Sequence, residues 1–364
     1  GLVALLVWNP FPFQILELKT FDFLMSTQSK VQNDNILIVD IDEEIIKEYG
    51  GYPLPRSLYA DLITKTQAVP GITILMPDPD IRGIENDNAL SDMMERVPTV
   101  LAYAASTQAT EGGPHVGTAQ IGGKPTEWLF QYPGILRQTP ALAESAKGVG
   151  LITSAPELDG VVRRVPLAVS SQDKLYPSFA LEMLRVGVGD PSYQIKAGPA
   201  GVMAVRVPGF STIETDANAR IWLRWNKKFP TISMTDDLSV VAGKTVVVGL
   251  TAEGLASTIA SPSGTQYAHT PIAVSLATII NGENIQRTDL ANFYELLYLI
   301  LIGLMLVVAS RFVHYYYVAG TIIVLAIGTV YGAVFAYSKY LLLLMKPRVM
   351  SLVIFTCAVG LLTA

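Results

Sequence analysis

The chain has 364 residues, of which 50% are hydrophobic and 16% charged, with a net charge of −5. Soluble domains carry about 25% charge, so the shortfall marks apolar segments, and the lack of a dense Lys/Arg run excludes nucleic acid as a partner. One cysteine, Cys357, excludes an internal disulfide framework and a cysteine-based zinc site.

The first sixteen residues are apolar and interrupted by Pro10 and Pro12. Residues 1–16 read as the outer end of a membrane helix that starts upstream, with a signal-peptide remnant as the rival reading. Residues 17–290 have the composition of a folded domain. Asn35–Asp42 is a β-rich run, Pro55–Thr66 has helical spacing with Leu58, Leu62 and Ile63 on one side, and Gly71–Met76 is a second strand. This strand-helix-strand unit implies parallel pairing. A helix over Asn88–Val97 and a strand over Thr99–Ser106 follow, and Thr107–Thr126, rich in Gly, Thr and Pro, reads as a surface excursion. Strands are expected at Gly148–Ser154, Val161–Ser170, Arg220–Trp225 and Lys244–Gly249, with helices at Tyr176–Val186 and Thr270–Ile280. The class is α/β, with a mainly parallel sheet.

Residues 291–364 read as a three-helix transmembrane region, since a span needs about 20 mostly apolar residues. Phe293–Ser310 and Tyr317–Tyr337 qualify, and a third helix is expected from near Val349, because Lys346-Pro347-Arg348 is costly at mid-bilayer. Arg311 and His314 on one link, against Lys339, Lys346 and Arg348 on the other, leave the orientation undecided by charge. Gly328, Gly332 and Ala336 recur every four residues on the second helix, so they share a face that is expected to pack against another helix.

Asp40 and Asp42 end the first strand, while Asp78 and Asp80 follow the second. Carboxylates beyond the carboxyl ends of parallel strands occupy the usual ligand position of α/β sheets. They can equally cap the next helices or pair with Arg56 or Arg82. Their spacing is not that of an EF-hand loop, and no metal or other cofactor is assigned. Asp159-Gly160-Val161-Val162-Arg163-Arg164 joins a tight turn to two guanidinium groups on opposite strand faces. Arg163 then either holds an anion or bridges internally to Asp159. The histidines, His115, His269 and His314, form no HExxH, and no GxSxG is present, so no catalytic residue is named. Val247–Gly254 lacks the Gly-Lys-Ser/Thr ending of a phosphate loop.

The order of several short segments resembles that of CHASE2 domains. Leu16–Asp22 is similar to the family's entry helix, Val39-Asp40-Ile41-Asp42-Glu43 to its first strand, and Tyr52-Pro53-Leu54-Pro55-Arg56 to its aromatic-Pro-x-Pro-Arg segment. Asp78, the Asp159–Arg164 turn, Pro177–Leu181 and Lys244–Gly249 follow in family order, and His269 stands near the Ile-His-Ala segment, here Ala-His-Thr. The resemblance implies an extracytoplasmic sensor at a bacterial inner membrane, in contact with lipid. Such sensors typically follow one membrane helix, precede three more, and relay a signal to a cyclase or kinase effector. It implies a homodimer or larger assembly and a small-molecule or protein cue of unknown identity. An accessory subunit of a membrane complex, without an effector, is the alternative, and a periplasmic enzyme is the third.

Overall fold

The computed structural model describes residues 11–66, 68–110, 112–113, 117–285, 293, 296–298, 300–301, 304–305 and 315–340. Two compact units divide the chain, residues 30–284 and residues 1–29 with 285–364.

The larger unit is built on a seven-stranded sheet. Its strands are β1 (Ile36–Ile41), β2 (Pro70–Ile72), β3 (Val100–Ser106), β4 (Gly134–Leu136), β5 (Gly148–Leu151), β6 (Thr231–Ser233) and β7 (Thr245–Leu250). The order is β6-β1-β7-β2-β3-β4, with β5 also on β3, and every pairing is parallel except β3 with β4. β1 and β2 are parallel as expected, but they are not neighbours: β7, from more than 170 positions later in the chain than β2, lies between them. Its Val246, Val247 and Val248 are fully buried, the unbroken apolar run of a strand covered on both faces.

Strand alternation sorts the core. Leu37, Val39 and Ile41 pack with Leu62 and Ile63 of α3 (Arg56–Lys65) and with Leu90 and Met94 of α4 (Ile84–Arg96), which follow α2 (Glu43–Glu48). The opposite face is covered by α5 (Phe179–Val188) and α6 (Thr270–Ile280), whose Pro271 to Ile279 are all buried. Gly71 is required there, because a Cβ would lie 2.6 Å from both Met183 Sδ and a ring carbon of Phe179. β2 ends sooner than the apolar run Gly71–Met76 suggests, because Gln138 intervenes. Its amide donates to the carbonyls of Ile74 (3.0 Å) and Ala102 (2.6 Å) and accepts from Met76 N–H (2.7 Å).

Two segments differ from expectation. The run expected as a helix from Tyr176 is the strand Lys174–Pro177 followed by α5, because the Ser178 hydroxyl accepts from Leu181 N–H and fixes the helix start at Phe179. Thr107–Thr126 is not only a surface excursion. Its Gly117–Gly122 is a strand pairing in parallel with Ser192–Gly198 in a second sheet completed by Gly201–Arg206 and Thr212–Glu214. Alternation too weak to stand out between glycines hid it.

In the smaller unit, α1 (Phe11–Ser26) carries Pro12 in its first turn, where a missing N–H costs nothing. Leu18, Phe21, Leu24 and Met25 of α1 are buried, as are Thr329, Ala333, Ala336 and Tyr337 of α7 (Tyr315–Tyr340). Tyr337 meets Phe21 edge-on at 6.3 Å and donates to Met25 Sδ, and Gln28 donates to Ser338 at 2.8 Å. Gly328 and Gly332 are exposed, and a Cβ on either would meet nothing within 4 Å. Of the expected packing face only Ala336 is buried; the buried stripe is displaced by one residue, because Thr329 bonds Tyr298 and Tyr337 bonds Met25.

The expected three-helix transmembrane region is corrected by this unit. Among the described residues no helix is long and apolar enough to cross a membrane. Part of the apolar character of α7 goes into packing on α1 rather than into a uniform lipid-facing surface. The third expected helix, most of the first, Cys357, His115 and His314 lie outside the described residues.

Candidate functional site

Residues 36, 38 and 40 of β1 point to the face covered by α6, and at Asp40 this face opens into a cavity of about 380 Å³. Ile38, Asp40 and Thr231 come from the sheet, and His269, Thr270 and Val274 from the start of α6. The hairpin Thr258–Ser261/Gly264–Tyr267 contributes Ser263, Gln266 and Tyr267. The remaining wall is the parallel pair Val31–Gln32/Lys227–Lys228 with its flanks, Lys30, Trp225 and Phe229. The volume lies within the ~300–1,000 Å³ of small-molecule sites.

The centre of the site depends on a glycine. Gly249 of β7 stands in register with Asp40 of β1, and the imidazole of His269 occupies the space its side chain would fill. A Cβ at 249 would lie 2.1 Å from Nδ1 of His269. Gly249 thus lets the ring lie against the sheet, with Nε2 3.7 Å from Asp40 Oδ1. That distance is too long for a hydrogen bond, and Asp40 Oδ1, though buried, has no hydrogen-bond partner. Tyr267 stacks on the imidazole, ring centroids 5.8 Å apart and planes 6° from parallel.

Burial dominates the electrostatics. It pushes the Asp40 carboxyl up to about 6, helped by the negative charge of Asp42, and the His269 imidazole down to about 4. At pH values between these two, both groups are neutral: Asp40 carries a carboxyl proton and His269 a single ring proton.

The other residues singled out in the sequence go elsewhere. Asp42 caps α2, its Oδ1 accepting from Ile45 N–H at 3.2 Å. Arg56 pairs with buried Asp87 and also donates to the main-chain carbonyl of Asp78, while Asp80 accepts from Arg56 N–H at 2.9 Å. This network belongs to α3 and α4, on the sheet face opposite to Asp40. Arg56 and Asp78 therefore meet each other, through the Asp78 backbone, but not Asp40. Arg163 is fully buried in a two-point bridge to Asp159, both bonds 2.7 Å, and Arg164 joins a separate network with Glu157 (2.7 Å) and Asp216 (2.9 Å). Both arginines form internal bridges. Lys30, Gln32, Lys228 and Tyr267 escaped sequence reading, since short strands of mixed composition carry no periodic signal. The pairing of Gly249 with an aromatic side chain is visible only in three dimensions. Among the described residues no group of His, Cys, Asp or Glu is arranged to hold a metal ion.

No curated protein and no solved structure matches the chain. The CHASE2 domain family matches residues 1–310, most of the 364-residue chain, and includes the segments that hold Asp40, Gly249 and His269. The chain belongs to the CHASE2 domain family.

Proposed function

We propose that this chain is a receptor module whose cue binds in the cavity beside Asp40 and His269. CHASE2 is a family of sensor domains, and the observation that carries the assignment to this cavity is the poorly satisfied pair at its centre. A buried carboxyl oxygen without a hydrogen bond, 3.7 Å from a buried imidazole, is an arrangement that a ligand can rearrange at low cost. The proposed output is a shift in the position of α6 or the neighbouring hairpin, relayed to an effector beyond these residues. The proposed location is the extracytoplasmic side of a bacterial inner membrane, in contact with lipid, and the proposed assembly is a homodimer or larger. Family character and the absence of cysteine before residue 357 support that location.

A small-molecule screen read by melting temperature tests the assignment. Compounds that stabilise the chain should lose their effect in Thr231→Trp, which fills an exposed part of the cavity wall. Stabilisers whose effect survives that substitution would place the sensing site elsewhere.

A further inference from the structure

The walls of the cavity are unequal in charge. Lys30, Lys227 and Lys228 surround it, against the single carboxylate of Asp40. The Lys227 ammonium is committed: its side chain is 3% exposed and 2.7 Å from Glu283. Lys30 and Lys228 are exposed, and among the described residues neither forms an ion pair. The parallel ribbon Val31–Gln32/Lys227–Lys228 carries Lys228, and Lys30 directly precedes it, both lining the cavity. Asp40 does little to offset them, because its Oδ1 is buried and faces His269. α6, with Thr270 as its first residue in the cavity wall, adds the positive end of an 11-residue helix.

The rest of the wall suits a flat apolar body. Tyr267 and His269 present stacked planar rings, and Phe229 and Val274 add apolar surface. Trp225 lines the same cavity; it is 4% exposed, and its indole N–H has no hydrogen-bond partner. A buried donor left unpaired is destabilising, so an acceptor brought by a ligand would be favoured there.

Resting on the sensor role proposed above, we infer that the cavity takes a small anionic organic molecule, its carboxylate or phosphoryl group held by Lys30 and Lys228 and its planar apolar part set against Tyr267, Phe229 and Trp225. The volume of about 380 Å³ limits it to metabolite size.

Calorimetric titration of the purified full chain with benzoate, phenyl phosphate, benzyl alcohol and benzylamine tests this. These probes share one ring and differ in charge. At least one of the two anions binds, and which one separates a carboxylate ligand from a phosphoryl ligand. The alcohol and the amine bind about tenfold more weakly or not at all. Lys30→Gln and Lys228→Gln each weaken the anion about tenfold, the loss of one charge-assisted contact, and added salt weakens it in the wild type. Both lysines are exposed, so these variants keep the fold. Equal or tighter binding of the alcohol or the amine overturns the anionic assignment and leaves the cavity as a ligand site. Anion binding indifferent to both lysine substitutions also overturns it. Binding of none of the four, or binding unchanged in Thr231→Trp, overturns the sensor site as well.

Discussion

The Asp40–His269 pair makes the dependence of stability on pH a test of the buried site. His269 has a folded-state value depressed from 6.5 to about 4. Its contribution is therefore present above pH 6.5 and is lost as the pH falls toward 4. Asp40 has a folded-state value raised from 3.8 to about 6, so its contribution is present below pH 3.8 and is lost as the pH rises through 6. At ~1.4 kcal/mol per pH unit the histidine effect is about 3 kcal/mol. The aspartate effect is about half of that, because its side chain keeps 19% exposure and solvent screens it. Between pH 4 and 6 the two oppose each other in the wild type. Asp40→Asn should remove one and leave the other, so that its stability relative to wild type falls with acidification across that window by about 1–2 kcal/mol. His269→Gln should do the reverse, losing stability relative to wild type as the pH rises from 4 to 6. The groups around the pair are Asp42, Tyr267, Lys30, Lys227 and Lys228, and subtracting the wild-type curve removes their background. Urea unfolding at half-unit pH steps from 4 to 7 gives the curves. Parallel curves for all three proteins would refute the reasoning. So would a loss of stability in wild type, absent from Asp40→Asn, as the pH rises above 6.5, since that is the behaviour of a charged ion pair.

Gly249→Ala should cost about 2 kcal/mol, because the new methyl meets the His269 ring and the ring is held by Tyr267; urea unfolding at pH 7 measures it, and an unchanged midpoint would mean that the imidazole moves freely. Arg56→Ala leaves the 4%-exposed Asp87 without its partner and should cost about 3–5 kcal/mol; thermal unfolding checks this, and a shift of less than 2 °C would remove the network from the account. Gly332→Leu should leave the melting temperature within ~2 °C of wild type, because nothing lies within 4 Å of the added Cβ. A shift in crosslinked size without loss of stability would then report a contact between copies through that face.

Much of the larger unit was legible, and the reasons are physical. α6 matches the expected Thr270–Ile280 to the residue, because Pro271 marks its start and Asn281-Gly282 its end. β7 is recognisable from Thr-Val-Val-Val, but its place between β1 and β2 is not, since strand order follows from how the layers close and not from any one strand. Short strands such as Gly117–Gly122 have too few residues to show a period. The position of Asp40 near the end of β1 was readable, because alternation and strand ends locate it. Asp42 and Arg56 share its residue types and motif order, yet they serve as a cap and as a partner for Asp87. Charge and spacing are the same for both roles; only the distance to the nearest partner separates them. In the smaller unit composition misled. Hydropathy counts apolar residues whatever they face, and Tyr337, Ala333 and Ala336 face α1 or the interior of the unit.

The chain has three histidines, so ¹⁵N spectra of histidine-labelled protein, assigned with His269→Gln, isolate the centre of the site. Titration with phenyl phosphate or benzoate at pH 7, whichever binds, should move the imidazole signals of His269 in saturable fashion, with the midpoint of the calorimetric curve. His269 signals that stay fixed while the probe binds to saturation would contradict the claim that the cavity beside Asp40 and His269 is where this sensor domain receives its cue.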